Sequence, residues 1–228
     1  MSPTLRRNLI DAALVLAVFG VGIYLTTFVI TRLRVTEGLD FVSRHLANTS
    51  IQAFFLIVIP YGVSWAFWKR SPAELGITLR KLGPSLAWSC GLYAIALAAF
   101  FYCSDGPLIA NHPIRVPRDP VVIGKLGLSM CLLAATTDIA TRGFILLSLA
   151  RCTPLWFAIL MQNAFWIYGH VYEIRALSTC MGTAAGYALF LVLGLLGDSI
   201  ALRTRNVVGL ALGHVLLNVV MIIYIRTL

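Results

Sequence analysis

Long apolar runs dominate the chain, and short segments that carry most of its charge separate them. A run of about 20 apolar residues is long enough to cross the hydrocarbon core of a bilayer as a helix. The strand-like alternation of apolar and polar positions that a transmembrane barrel requires is absent. The pattern predicts an all-α, polytopic membrane protein with about seven transmembrane helices in a single helical bundle. The predicted spans lie near residues 9–30, 50–68, 84–102, 121–150, 154–172, 177–202 and 207–225.

Composition and charge agree with a membrane protein. Charged residues make up only 12% of the 228 residues, whereas a soluble domain carries about a quarter. The net charge of +9 would suggest nucleic acid in a soluble protein, but no basic stripe is interleaved with aromatic residues. We expect the Lys and Arg side chains to contact headgroups, so the predicted partners include membrane lipids and exclude nucleic acid.

Two connections between the apolar runs are informative. Segment 69–81 is amphipathic and basic, which predicts a short interfacial helix before the third span. The chain then divides into two N-terminal transmembrane helices over residues 1–68 and a core over residues 69–228. Segment 104–120 contains four prolines and is predicted to be a loop outside the membrane.

Orientation follows from the distribution of Lys and Arg. With seven spans, the N-terminal side carries nine of these residues and the opposite side seven, which favours a cytoplasmic N-terminus. The first apolar run is too long for a signal peptide, and no small-residue cleavage site follows it, so it is predicted to be an uncleaved span. The five cysteines are odd in number, show no metal-ligand spacing and indicate no redox compartment.

Several polar residues fall inside the predicted spans, where an ionisable group costs a few kcal/mol. Asp138 and Arg142 are spaced i, i+4 in the fourth span, which is a favourable ion-pair geometry. His170 ends the fifth span, and His214 and Asn218 are spaced i, i+4 in the seventh. Each feature alone is compatible with ordinary helix packing, but their presence on three spans at similar depths makes a common polar site plausible.

Such a cluster suits hydrolysis. A carboxylate with a neutral histidine can activate water, and a histidine with an asparagine amide can stabilise an oxyanion. Zinc binding by the histidines and the aspartate is a weaker alternative, since the His-Glu-x-x-His pattern is missing. We predict no cofactor and no bound metal. Glu173 and Asp198 are predicted to lie near span ends, where water is available. Glycines 182, 186, 194 and 197 of the sixth span are predicted to serve ordinary close helix packing.

These residues, in this order, resemble the CPBP membrane-protease family, which includes the CAAX prenyl endopeptidases and Abi-type bacterial proteins. Arg142-Gly143 matches the end of the family's Glu-Glu-x-x-x-Arg motif, and Trp166-x-x-x-His170 matches Phe-x-x-x-His with Trp for Phe. His214-x-x-x-Asn218 matches the third motif, His-x-x-x-Asn or His-x-x-x-Asp. The resemblance covers roughly residue 69 to the C-terminus, including the segment Ser71-Pro72-Ala73-Glu74-Leu75-Gly76.

The resemblance implies an intramembrane endopeptidase of the bacterial inner (plasma) membrane that hydrolyses a membrane-associated peptide or protein tail. It assigns catalytic roles to Asp138, Arg142, His170, His214 and Asn218, with His170 activating water and His214 and Asn218 stabilising the oxyanion. The chain departs from the family at Thr137, which stands where the first glutamate, the presumed general base, is expected. This departure leaves a second interpretation open, a pseudoprotease that binds a membrane partner as an assembly or immunity protein. Transport is a weaker third alternative, because no broken-helix ion site is evident.

Overall fold

A computed structural model describes residues 2–104 and 119–227, and the described residues form helices and no strands. The predicted loop at 104–120 lies almost entirely outside the described residues. Ten α-helices are described: α1 (Pro3–Thr27), α2 (Phe41–Ala53), α3 (Ile59–Trp68), α4 (Leu82–Ser104), α5 (Pro120–Asp138), α6 (Leu147–Leu149), α7 (Leu155–Gly169), α8 (Val171–Met181), α9 (Thr183–Thr204) and α10 (Val208–Thr227). Three π-helical stretches extend or join them: Phe28–Arg32 after α1, Phe54–Val58 between α2 and α3, and Ile139–Leu146 between α5 and α6.

Five helical segments within the described residues are long and apolar enough to cross a membrane. They are Pro3–Arg32, Phe41–Trp68, Leu82–Cys103, Pro120–Leu149 and Thr183–Thr204. The prediction of an all-helical membrane protein is thereby supported, but the count of seven is not confirmed. The predicted fifth span, 154–172, is covered by α7, which ends at Gly169, and α8 follows where the sequence predicted a connection and the start of the sixth span. Over the described side chains, the predicted seventh span gives a shorter apolar helix, Val208–Met221.

Local sequence signals explain where the long helices begin and end. The side chain of Asp40 accepts hydrogen bonds from the backbone N–H groups of Val42 and Ser43 and starts α2. Asp119 caps α5 in the same way, with Pro120 at the first helical position. Gly182 has a φ of +87°, a conformation that favours glycine, so α9 begins after it rather than at residue 177 as the apolar pattern predicted.

The predicted interfacial helix over 69–81 is not confirmed. This segment contains only a 3₁₀ turn, Pro72–Leu75, held by a capping box between Ser71 and Glu74. Gly76 ends the turn with a φ of +87°. The segment packs on the bundle through the backbone N–H of Val207, which donates to the Gly76 carbonyl over 2.9 Å.

Polar contacts define two ends of the bundle. At the N-terminal end, Trp68 donates to Asp11 over 3.0 Å, and Asn206 donates to the Thr78 carbonyl over 2.6 Å. At the opposite end, here called the far end, Lys125 donates to Ser43 over 3.1 Å. These contacts show that successive long helices run in alternating directions between the two ends. An apolar core that includes the fully buried residues 144–147 packs most of the helices together.

Candidate functional site

The predicted site residues come together in the middle of the bundle. Asp138 is the last residue of α5, where the helix passes into the π-helical stretch that contains Arg142. π-Helical turns inside α-helices are often found at functional sites. The Asp138 and Arg142 side chains are both fully buried and form the predicted ion pair between Oδ1 and Nη1. A buried charge of either sign needs such a partner, so this pair fixes the position of the carboxylate.

The second carboxylate oxygen of Asp138 accepts two further hydrogen bonds. Tyr93 of α4 donates its hydroxyl over 3.0 Å, and Nδ1 of His214 lies 3.1 Å away. The ring of Tyr93 also stacks on His214, with ring centroids 4.7 Å apart and an angle of 20° between the planes. Because an ionised carboxylate only accepts, His214 carries a hydrogen on Nδ1, and the neutral tautomer that fits this contact has its lone pair on Nε2.

His170 lies beside His214, with ring centroids 6.0 Å apart. Its Nδ1 is 2.8 Å from the carbonyl oxygen of Trp166, so this histidine also carries its hydrogen on Nδ1. No hydrogen-bond partner for Nε2 of either ring is found within residues 2–104 and 119–227. In these neutral tautomers each histidine keeps one acceptor nitrogen, Nε2, and the two rings lie side by side.

Arg142 is held on several sides. Its guanidinium carbon lies 4.1 Å from the centroid of the Trp166 ring, a cation–π contact. Its Nε lies 3.5 Å from Oδ1 of Asp198 on α9. Asp198 is only 1% exposed and accepts a hydrogen bond of 2.7 Å from Asn163. The expectation that Asp198 lies near water is therefore wrong, since Asp198 is a buried second carboxylate beside Arg142.

Two glycines of α9 make room for this network. A Cβ at Gly197 would overlap the guanidinium of Arg142, and one at Gly194 would overlap the side-chain amide of Asn163. Gly186 fits the expected close helix packing, since a Cβ there would press on Ser178 and the Ile174 carbonyl of α8. The small-residue pattern therefore serves the polar site as well as helix contact.

A cavity of about 470 Å³ lies against the two histidines, within the range of sites that bind small ligands or peptide side chains. Thr137, His170, His214 and Asn218 line it together with mostly apolar side chains. The amide of Asn218 donates to the Met130 carbonyl over 3.0 Å, which uses one of its two N–H groups. Asp138 and Arg142 lie behind this lining, so they act on the cavity through other side chains.

Thr137 occupies the cavity wall at the position where the resemblance expects a glutamate. Its hydroxyl donates to the Leu133 carbonyl over 2.9 Å. No carboxylate therefore reaches the cavity from this position. Glu173 of α8 also lines the cavity, although the sequence predicted only a span-end position for it.

Sequence reasoning missed Tyr93, Asn163 and Asp198 as parts of the site. Tyr93 is an aromatic residue within an apolar span, and only its contact with Asp138 reveals a role. Within the described part of the chain, no group of three or more His, Cys, Asp or Glu side chains is arranged to hold a metal ion.

No protein-family model matches the chain. No curated protein and no solved structure matches it either. The resemblance to the CPBP family therefore rests on the three short motifs and stays a prediction.

Proposed function

We propose that the protein is an intramembrane hydrolase, an endopeptidase that cleaves an amide bond in a membrane-associated peptide or protein tail. The observation that carries the proposal is the Asp138–His214 pair beside a cavity. A carboxylate on Nδ1 fixes the histidine tautomer and stabilises the imidazolium that forms when Nε2 takes a proton. The ordered CPBP-like motifs support the same reaction class.

His214 is the general base in this proposal. One water donates its two hydrogens to the Nε2 atoms of His170 and His214, whose ring centroids are 6.0 Å apart. His214 takes a proton as the water oxygen attacks the carbonyl carbon, and the carbonyl oxygen becomes an oxyanion. The proton then passes to the leaving amine as the C–N bond breaks, so that atoms and charge balance. His170 holds the water. The general base is thus His214 in place of His170, to which the family resemblance assigned the activation of water.

The remaining polar groups support these steps. The second N–H of Asn218, which also lines the cavity, stabilises the oxyanion. Arg142 keeps Asp138 ionised, and Tyr93 holds its second oxygen in place through the 3.0 Å hydrogen bond. The apolar part of the cavity lining binds an apolar side chain or a lipid-like group of the substrate.

Cleavage assays test the proposal. Purified protein in lipid vesicles is offered a panel of membrane peptides and a prenylated Cys-a-a-X peptide, and products are identified by mass spectrometry. We expect cleavage by the wild type and its loss in both His170→Ala and His214→Ala. His45→Ala is the matched control, because His45 bonds Ser129 outside the cavity and its replacement should leave cleavage intact. Absence of cleavage by the wild type across the panel would contradict the proposal.

The second candidate function is a pseudoprotease that uses the same cavity to bind a membrane partner. Thr137 favours this second candidate, because its hydroxyl donates to the Leu133 carbonyl and does not serve as a general base. A stable partner recovered from membranes, without cleavage in the panel, would support this candidate over the first.

Replacement of Thr137 by glutamate distinguishes a decayed site from one that works as it stands. If His214 is the working base, Thr137→Glu adds another carboxyl group to the cavity, which Glu173 already lines, and leaves the rate of cleavage unchanged or lowered. A large gain in the initial rate of cleavage would contradict that assignment and identify the lost glutamate as the missing base. Thr137→Gln, of the same size without charge, is the matched control.

We also infer the membrane arrangement that the proposal requires. The chain crosses a bacterial plasma membrane seven times, with α7 and α8 forming a divided fifth crossing and α10 the seventh. Segment 69–81 lies at the interface on the cytoplasmic side. The support comes from the alternating helix directions, from the 20 residues of α10 and from the excess of Lys and Arg at the N-terminal end.

A further inference from the structure

One disulfide joins two helices that line the cavity. Cys103 of α4 and Cys180 of α8 are bonded, with Cα atoms 5.6 Å apart and a sequence separation of 77. The other three cysteines, Cys90, Cys131 and Cys152, are free thiols. The sequence alone gave no reason to select this pair, because the two residues come from distant parts of the chain.

Both bonded cysteines lie at the far end of the bundle. The N-terminal end holds the start of α4, as the hydrogen bond of Ser85 to the Asn206 carbonyl shows. Cys103 is one residue from the opposite end of α4, and Cys180 is one residue from the end of α8. The disulfide is therefore about the full length of α4 away from the N-terminal end.

Disulfides persist in oxidising compartments and are rare in the cytosol. A disulfide at the far end therefore assigns that end to the extracytoplasmic side. The distribution of Lys and Arg favours the same orientation, with nine at the N-terminal side and, once Lys125 is placed at the far end, eight opposite. The two observations rest on different residues.

The cavity lies in the same half of the bundle as the disulfide. On α4 it is lined by Tyr93, Ala96 and Phe100. Tyr93 lies at the midpoint of this helix, and the other two lie between Tyr93 and Cys103. On α9, which starts at the far end, the lining residues Leu189, Phe190 and Leu193 fall in the first half of the helix.

The disulfide also lies next to the cavity wall. Cys103 packs in a small buried cluster with Ile174, Leu177 and Phe190. Leu177 and Phe190 line the cavity, so the bond fixes α8 beside the space that a substrate would occupy.

We infer that the cavity opens to the extracytoplasmic side of the membrane and takes a peptide segment of a membrane-anchored protein presented from that side. This inference deepens the proposed function and rests on it, because only a hydrolase would take such a segment as its substrate. A prenylated tail at the cytoplasmic surface, the substrate that the family resemblance suggests first, is on the wrong side for this opening.

Sided thiol labelling in intact cells tests the orientation without any need for catalysis. Leu39 and Leu79 form a matched pair, because both are exposed leucines in connections at opposite ends of the bundle. A membrane-impermeant maleimide should add a label to Leu39→Cys in intact cells. It should label Leu79→Cys only after the membrane is permeabilised, with the wild-type chain as background for both. The reverse order of labelling would overturn the inference.

The state of the native cysteines and the side of cleavage complete the test. Alkylation before and after reduction should show Cys103 and Cys180 blocked until reductant is added, and free thiols at both positions would overturn the inference.

With orientation known, a membrane-anchored peptide exposed on the outer face of cells should be cleaved, and the same peptide confined to the cytoplasmic face should not. Cleavage on the cytoplasmic face alone would overturn the inference, whereas cleavage on neither face with the expected labelling would overturn only the proposed function.

Discussion

Asp138→Asn is expected to abolish most of the cleavage activity and to destabilise the protein. Asparagine keeps the size of the side chain but removes the charge that balances Arg142, which is fully buried. Breaking a buried ion pair by removing one partner costs about 3–5 kcal/mol. The amide can also present an N–H to Nδ1 of His214, so the required tautomer is lost and the imidazolium loses its stabilising anion. In serine proteases the corresponding change lowers the rate by on the order of 10⁴-fold, and we expect a loss of similar order here.

Thermal unfolding in detergent and initial rates of peptide cleavage measure the two effects. Asp11→Asn is the matched control, because Asp11 accepts a hydrogen bond from Trp68 at the N-terminal end, away from the cavity. The control should keep full activity. An Asp138→Asn variant with unchanged stability and activity would show that the buried pair is incidental.

Gly197→Ala is expected to destabilise the protein and to reduce activity together. A Cβ at position 197 would overlap the guanidinium of Arg142, which is buried and held by carboxylates on two helices. Overpacking of this kind costs typically about 1–3 kcal/mol. The displaced guanidinium would also shift Asp138, on which the orientation of His214 depends.

Gly91→Ala is the matched control for this prediction. Gly91 lies within α4, and a Cβ there would meet nothing within 4 Å. Since alanine is favoured over glycine in helices by about 1 kcal/mol, the control should be as stable as the wild type or more so. Melting temperatures of the two variants in the same detergent provide the comparison, and equal melting temperatures would contradict the account of Gly197.

The apolar pattern predicted most of the helical architecture, because a span needs only length and hydrophobicity to be recognised. It failed where polar residues lie within a helix. The second span was predicted to begin near residue 50, whereas α2 begins at Phe41. His45 and Thr49 of this helix find a partner in Ser129 of α5, and such tertiary partners cannot be seen in a local window.

The fifth span was predicted to end near residue 172, but α7 ends at Gly169 and a second helix, α8, follows directly after His170. The backbone of His170 has φ −111° and ψ 18°, outside the usual helical region. Nothing in an apolar count distinguishes this residue from its neighbours. The break separates α7, which carries Trp166, from α8, which carries Cys180.

The site was predictable to the extent that its residues are close in sequence. Helix geometry alone gave the Asp138–Arg142 ion pair, since residues four apart share a face. The partner of Asp138 on another helix was not predictable in this way. The family resemblance assigned the activation of water to His170, whereas the structure pairs Asp138 with His214. Tyr93 and Asp198 join the site only through tertiary packing, so spacing along the chain carried no signal for them.

A double-mutant cycle tests the central claim, that Asp138 acts through His214. Initial cleavage rates are measured for the wild type, Asp138→Asn, His214→Ala and the double variant in the same lipid vesicles. If Asp138 serves to orient and stabilise His214, the double variant will be no slower than His214→Ala alone, because the carboxylate has nothing left to act on. Rate losses that multiply in the double variant would show that the two residues act independently and would contradict the account.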